Sequence, residues 1–412
     1  MNVPAPIPPM PGEPAPLHFQ VRLRAGRQRS VHLHHPWIYS GAVAEIEGHP
    51  EARAGDLGRI VSATGEVLGI AMVHPEATLV ARMLVWGEQP IGAEWVRARV
   101  ADAAAWRAGL VEAGWEACRL INAEGDGLPG LIVDRYGDWL VVQCLTRGMV
   151  HLQPWWLPAL LEAFQPRGLL ERPPRGPREA GLERQTAALW GALPPATLLV
   201  GEAQRRYLVD LLRGQKTGFY LDQRENRSRV GELARGRRVL DAYAYTGGFA
   251  VAAGVGGARE VVAIESSPVA AAGIREHWTA NHLPAERLEV VRGSVPRVLR
   301  SDDRSYDLIV LDPPPFSRRR GHREHAARAY KDVNLWALRR LRRGGLLVTF
   351  SCSQQVGGAL FQKIVFAAAS DAGLRLQWVA RLGAARDHPV HLDHPQGEYL
   401  TGLLLRALEG GA

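Results

Sequence analysis

Cys352 closes the run LLVTFSCSQ over residues 346–354, an apolar, β-leaning stretch that breaks into a polar turn directly after the thiol. A cysteine at such a place is either a small buried hydrophobe or a nucleophile. Asp312 closes a second apolar run, YDLIVLD, and is followed by Pro313, Pro314, Pro315 and Phe316. Prolines stiffen a loop and remove backbone donors, so DPPPF should present one carboxylate on a rigid wall, with Pro313, Pro314 and Phe316 able to hold a flat base. A thiol beside such a carboxylate suits methylation of a pyrimidine at carbon 5. That carbon is a poor nucleophile until a thiolate adds to carbon 6, and a thiol with an ordinary pKa of about 8.5 becomes a thiolate near positive charge or a helix start.

A third group of residues points to the methyl donor. VLDAYAYTGGFAVAAG carries a strand into a Gly247-Gly248 turn and then a helix, a place where the backbone approaches a ligand closely. It is not the G-x-G-x-x-G of a dinucleotide domain. Asp241 at the strand end and Glu265, 24 residues on, offer acceptors for ribose hydroxyls and for a cationic partner. An acidic loop favours S-adenosylmethionine (SAM) over a pyrophosphate cofactor.

These residues need a scaffold that brings strand ends together. From Arg237 onwards strands alternate with helices (RRVLDAYAY, FAVAAGVG, EVVAIESS, PVAAAGIREHWTANH, RLEVVRG, YDLIVLD, LWALRRLRR, GGLLVTFSC, LFQKIVFAAASDAG, LRLQWVARL), which predicts α/β architecture with a parallel, doubly wound sheet. In such sheets ligands bind beyond the carboxyl ends of the strands, where all the residues above fall. Residues 1–17 contain seven prolines and read as a disordered leader. Short alternating segments with frequent turns over 18–92 predict a small β-rich domain, and 93–213 reads as a central α+β module opening with a helix over 93–117. Residues 214–412 form the remaining, chemistry-bearing domain.

Composition narrows the class. The net charge is +8, and three lysines (Lys216, Lys331, Lys363) among 50 basic residues leave 47 arginines. Basic surface attracts polyanions, and the two lysines near motifs mark places where a compact ammonium differs from a guanidinium fork. No apolar run reaches the roughly 18 residues of a bilayer span and no secretion signal opens the chain, so a cytoplasmic protein with no membrane association is expected. Three unpaired cysteines exclude a disulfide framework. The histidines and aspartates of ARDHPVHLDHP (residues 385–395) have a ligand-like count on an irregular scaffold, and no metal is expected.

Taken together, TGFYLDQREN, DAYAYTGGFAV, DLIVLDPPPF, AYKDVN, LLVTFSCS and DHPV…EYL resemble the bacterial ribosomal RNA large subunit methyltransferase I family over about residues 20–406. The resemblance implies a Rossmann-like class I methyltransferase domain, a PUA-like RNA-binding domain carrying HPWIYSGAV, and SAM-dependent formation of 5-methylcytosine in 23S ribosomal RNA, as free RNA or as a large-subunit precursor. It makes Cys352 the nucleophile and Asp312 the contact to the base, and places Asp241, Thr246, Gly247, Gly248 and Glu265 around the cofactor. Lys216, Phe219, Asp222, Gln223 and Arg224 would lie near the shared cleft, Arg224 towards substrate, while Lys331, Asp332 and Asn334 would shape the base pocket. The chain departs from the family at Pro315 and Thr401, where lysine is usual, and at Ser294, where an aspartate usually holds the adenine. A homo-oligomer is left open. Two rivals remain at this point: an amino-group methyltransferase using DPPPF without the thiol, and a catalytically idle RNA-binding assembly factor.

Overall fold

A computed structural model describes residues 6–174, 179, 182–316 and 323–408. It divides into two compact units, the first within Met1–Leu198, Val209–Phe219 and Arg386–Gly397, the second within Leu199–Leu208, Tyr220–Ala385 and Glu398–Ala412. Among the described residues no helix is long and apolar enough to cross a membrane.

The first unit holds two sheets. A six-stranded one runs in the order Trp37–Tyr39, Leu79–Trp86, Val67–Val73, Leu57–Val61, Leu17–Leu23, Val43–Gly48. Its only parallel pair among the described strands joins Leu17–Leu23 to Leu57–Val61. The second sheet has five strands, Ala187–Gly191, Gly168–Glu171, Trp139–Cys144, Leu131–Tyr136 and Ala117–Asn122. Helix Ala93–Glu112 stops five residues short of the expected Ala117, because ACRLIN alternates with Leu131–Tyr136 as a strand. One apolar core runs from Leu57 and Met72 through Trp95 and Trp156 to Leu169.

The DHPVHLDHP loop serves this unit as a staple. Asp387 is fully buried, accepts the Arg119 amide N–H at 2.9 Å, and lies 2.7 Å from His388 Nδ1. His394 packs its ring against Trp37 at 4.5 Å. Beside it, Arg119 forms a two-pronged ion pair with Asp134 (2.8 and 3.0 Å), and Thr217 donates to the same carboxylate at 2.6 Å. Asp134 is 1% exposed, so removing its cation strands a buried charge. Arg119→Met is expected to cost about 3–5 kcal/mol in denaturant unfolding, and Arg119→Met with Asp134→Leu to recover most of it; equal losses in both variants would refute the pairing argument.

The second unit carries a seven-stranded sheet. Its strands are β1 (Arg238–Ala242), β2 (Glu260–Glu265), β3 (Leu288–Arg292), β4 (Tyr306–Leu311), β5 (Leu341–Ser351), β6 (Leu376–Leu382) and β7 (Thr401–Ala407), in the order β3-β2-β1-β4-β5-β7-β6. Its helices are α1 (Arg224–Leu233), α2 (Gly248–Val255), α3 (Pro268–Ala280), α4 (Val295–Ser301), α5 (Arg323–Arg340) and α6 (Gly358–Asp371). The central strands read as continuous apolar runs because helices cover both faces. The expected all-parallel sheet needs one correction: β7 inserts between β5 and β6 and runs antiparallel to both. No α-helix joins β6 to β7, so the chain can return only in the opposite direction. The basic run beginning at Ser317 starts outside the described residues; from Arg323 it is the first turn of α5.

Candidate active site

Parallel pairing sets the strand tips side by side. Ala242 of β1 lies opposite Ile264 of β2 and Leu311 of β4, and Leu311 lies opposite Thr349 of β5. Asp241, Glu265, Asp312 and Cys352 therefore crowd the carboxyl edge of the sheet, as the alternation of strands and helices predicts.

The loop after β1 is shaped by backbone constraint. Tyr243 and Tyr245 both adopt left-handed conformations, with φ of 65° and 50°, which bulky residues hold only when their surroundings demand it. Gly247 has φ of 82°, and a Cβ there would stand 2.9 Å from Ile274 Cγ2, so α3 packs directly on the turn. Glu265 clamps the loop from the β2 tip, accepting the Tyr245 N–H at 2.9 Å and the Ser267 N–H at 2.8 Å. His277 sits 2.6 Å from the Thr246 carbonyl and 2.8 Å from that of Leu208. Asp241 is buried; one oxygen accepts the Ala250 N–H at 2.8 Å, while Oδ1 has no partner. Burial, with the charges of Asp312 and Glu265 nearby, pushes its carboxyl up to about 7. The Thr246 hydroxyl is likewise buried without a partner. Two orphaned acceptors against a turn with no room for a side chain fit a ligand that brings hydroxyl donors and positive charge, the profile of SAM.

Across the tip, the Asp312 amide N–H reaches the Ala242 carbonyl at 3.4 Å and its carboxylate accepts from Gln223 Nε2 at 3.0 Å. Cys352 is half-buried, with Sγ 3.7 Å from the Pro313 carbonyl. The Tyr330 phenol faces Ser351 and Cys352. Its ring starts an aromatic chain, with Phe316 at 4.8 Å and Phe361 at 5.6 Å, and Tyr243 stands 6.4 Å from Phe316. Tyr220 lies edge-on to Tyr245 at 5.6 Å, and its phenol is held protonated by burial and by the charges of Asp312 and Asp222. Tyr399 donates to Asp222 at 2.7 Å. Tyr220, Tyr245, Asn226, Tyr330 and Tyr399 are thus site residues that sequence reasoning missed. The available signal was that each falls inside a quoted motif: Tyr220 and Asn226 in TGFYLDQREN, Tyr245 in DAYAYTGGFAV, Tyr330 in AYKDVN and Tyr399 in EYL.

Other expected residues are engaged elsewhere. Lys331 pairs with Asp371 of α6 at 2.7 Å and Asp332 with Arg300 of α4 at 2.5 Å. Asn334 is buried, donating to the Tyr330 carbonyl at 2.8 Å and accepting from Thr349 at 2.9 Å. These three join α5 to its neighbours, because a long helix presents successive residues to different partners, and the charge of Asp332 also acts on Tyr243. Arg224 is buried with its charge acting on Glu202. Ser294 is exposed at the start of α4 and makes no side-chain cap. Thr401 lies opposite Ser351 in the β5–β7 ladder. Lys216 (φ 50°) and Phe219 belong to the first unit, where the Phe219 N–H donates to the Tyr136 hydroxyl at 3.1 Å.

Residues 183–394 match the model of the S-adenosylmethionine-dependent methyltransferase family, and residues 21–86 that of a PUA-like domain. Ribosomal RNA large subunit methyltransferase I of Klebsiella pneumoniae (strain 342) is 38% identical over 392 residues, covering 94% of this chain and 98% of that protein. The chain belongs to the ribosomal RNA large subunit methyltransferase I family. The Escherichia coli (strain UTI89 / UPEC) member is also 38% identical, over 394 residues and the same shares of the two chains. A Streptococcus mutans protein assigned as a SAM-dependent methyltransferase has the same fold, with a TM-score of 0.81 at 20% identity over 94% of this chain and 99% of its own. SMU.776, solved with SAH, matches with the same TM-score and coverage at 19% identity. The protein is a SAM-dependent methyltransferase of α/β class with an N-terminal PUA-like domain.

Proposed function

We propose that the protein methylates carbon 5 of a cytosine in 23S ribosomal RNA through a covalent adduct with Cys352. Its relatives' name supplies the RNA class, and the observation that carries the chemistry is the thiol of Cys352 within 3.7 Å of the DPPPF loop backbone, beside Asp312. SAM, when bound, supplies an electrophilic methyl group. Asp241, Thr246, Gly247, Gly248 and Glu265 would hold it. Asp312 accepts from the base edge, while Pro313, Pro314 and Phe316 wall the base. Addition of the Cys352 thiolate to carbon 6 opens the C5=C6 double bond and makes carbon 5 nucleophilic enough to take the methyl group. Loss of the carbon-5 proton then expels the thiolate and restores the ring. A target inside RNA must be single-stranded or extruded to enter, and residues 18–92, with the arginine-rich surface, supply the contacts that position it. The enzyme acts on free RNA or a subunit precursor in the cytoplasm.

Incubation with labelled SAM and 23S RNA, followed by digestion to nucleosides, should yield 5-methylcytidine. An N-methylated nucleoside in its place would overturn the carbon-5 reading. RNA bound with no SAM binding and no transfer would favour a catalytically idle RNA-binding assembly factor.

A further inference from the structure

Asp312 is held by a relay whose polarity follows from one backbone carbonyl. The Asn226 side chain places Nδ2 2.9 Å from the Gly383 carbonyl oxygen and 2.6 Å from Gln223 Oε1. A backbone carbonyl can only accept, so the end of Asn226 that faces Gly383 must be its NH2 group. The same NH2 group then donates its second hydrogen to Gln223, which must present its oxygen there. Gln223 is left with its own NH2 group facing Asp312 Oδ2, at 3.0 Å. Gln223 precedes α1 and Asn226 lies in its first turn, three residues on, so the two side chains share a face. Both are buried, which keeps water from substituting for either donor.

We infer that Gln223 and Asn226 are positioning residues that keep the Asp312 carboxylate an acceptor, so that the site takes the exocyclic amine of cytosine and rejects the carbonyl that uracil carries at the same ring position. A protonated or rotated Asp312 would offer a donor and lose that distinction; the relay supplies a donor from the protein side and leaves the acceptor for the base. The inference rests on the cytosine reading above. Within the shared cleft expected for Gln223, its side chain bonds Asn226 and Asp312.

Gln223→Met and Gln223→Glu keep the size of the side chain. With 23S RNA as substrate, Gln223→Met should lower kcat/KM by about 10–100-fold, the scale of a misplaced contact to the reacting base, while the SAM Kd stays within about twofold. Gln223→Glu should be poor at neutral pH and recover towards acid pH, where the introduced carboxyl takes a proton and donates in the amide's place; wild type should show no such recovery. A Gln223→Met enzyme within twofold of wild type, a SAM affinity that falls in step with the rate, or a Gln223→Glu profile parallel to wild type would each overturn the relay. Failure of the cytosine reading shows separately: wild type would then transfer methyl groups yet form no adduct with RNA carrying 5-fluorocytosine.

Discussion

Cys352→Ala is expected to lose methyl transfer to cytosine by at least about 10⁴-fold, the range seen when a nucleophile that acts as a unit with its partners is removed. Wild type, given SAM and RNA in which 5-fluorocytosine replaces cytosine, should form a complex that survives a denaturing gel, because fluorine cannot leave carbon 5 as a proton and the thioether to carbon 6 is trapped. Cys352→Ala should form none while still binding SAM, since Glu265, Asp241 and His277 hold the cofactor loop. The folded state should tolerate the change, as Cys352 is half-buried at the end of β5 and its removal opens little cavity. An alanine variant that still transferred methyl groups would reduce the thiol to packing and hand the site to an amino-group methyltransferase.

Asp241→Asn should separate stability from function. The Asp241 carboxyl sits at about 7 in the folded protein against an ordinary 3.8, chiefly through burial. A carboxyl raised on folding favours the folded state fully only below 3.8, and that contribution is lost as pH rises through about 7. At pH 8 the ligand-free wild type carries a frustrated carboxylate, and Asn should stabilise the protein by up to about 4 kcal/mol, a gain that vanishes near pH 4. Binding of SAM should reverse the ranking. The ligand's cations and hydroxyl donors suit an ionised acceptor, whereas Asn would keep its oxygen on the Ala250 N–H and turn an NH2 group towards the ligand. SAM affinity of the variant should fall at least about tenfold, and wild-type affinity should rise with pH through about 7. Thermal unfolding with and without SAM at two pH values reads both effects; an Asn variant less stable at pH 8 without ligand would show that the carboxylate is satisfied in the free protein.

Much of the site was legible because the residues that carry it end apolar runs. LDPPPF and LLVTFSCS announce two strand tips, and DAYAYTGG announces a third with a glycine turn, so the periodicity that marks strands also marks where a ligand sits. Less of the supporting set could be read. Asn226 is an ordinary polar residue in a helix pattern, and its partner Gly383 lies far along the chain; nothing local records that they meet. Lys331 and Asp332, adjacent to motif residues, looked like pocket residues because neighbours in sequence share a motif. On α5 they turn instead to Asp371 and Arg300. β7 escaped notice because TGLLLRA lies outside the strand–helix alternation, so its antiparallel insertion had no signal there.

The amino-acid sequence by itself determined the chemical types at the strand ends: one thiol, one carboxylate with rigid prolines, one acidic glycine turn. Those follow from residue identity and from short-range periodicity, which a chain carries without reference to its fold. Only the tertiary structure decided what surrounds them. It left Asp241 Oδ1 and the Thr246 hydroxyl without partners beside a turn that Ile274 closes, set Tyr330 edge-on to Phe316 of the DPPPF loop, and set Asn226 against Gly383 so that Gln223 faces Asp312 with its donor end. Desolvation and hydrogen-bond direction depend on atoms that meet across long separations in sequence, and packing alone assigns them.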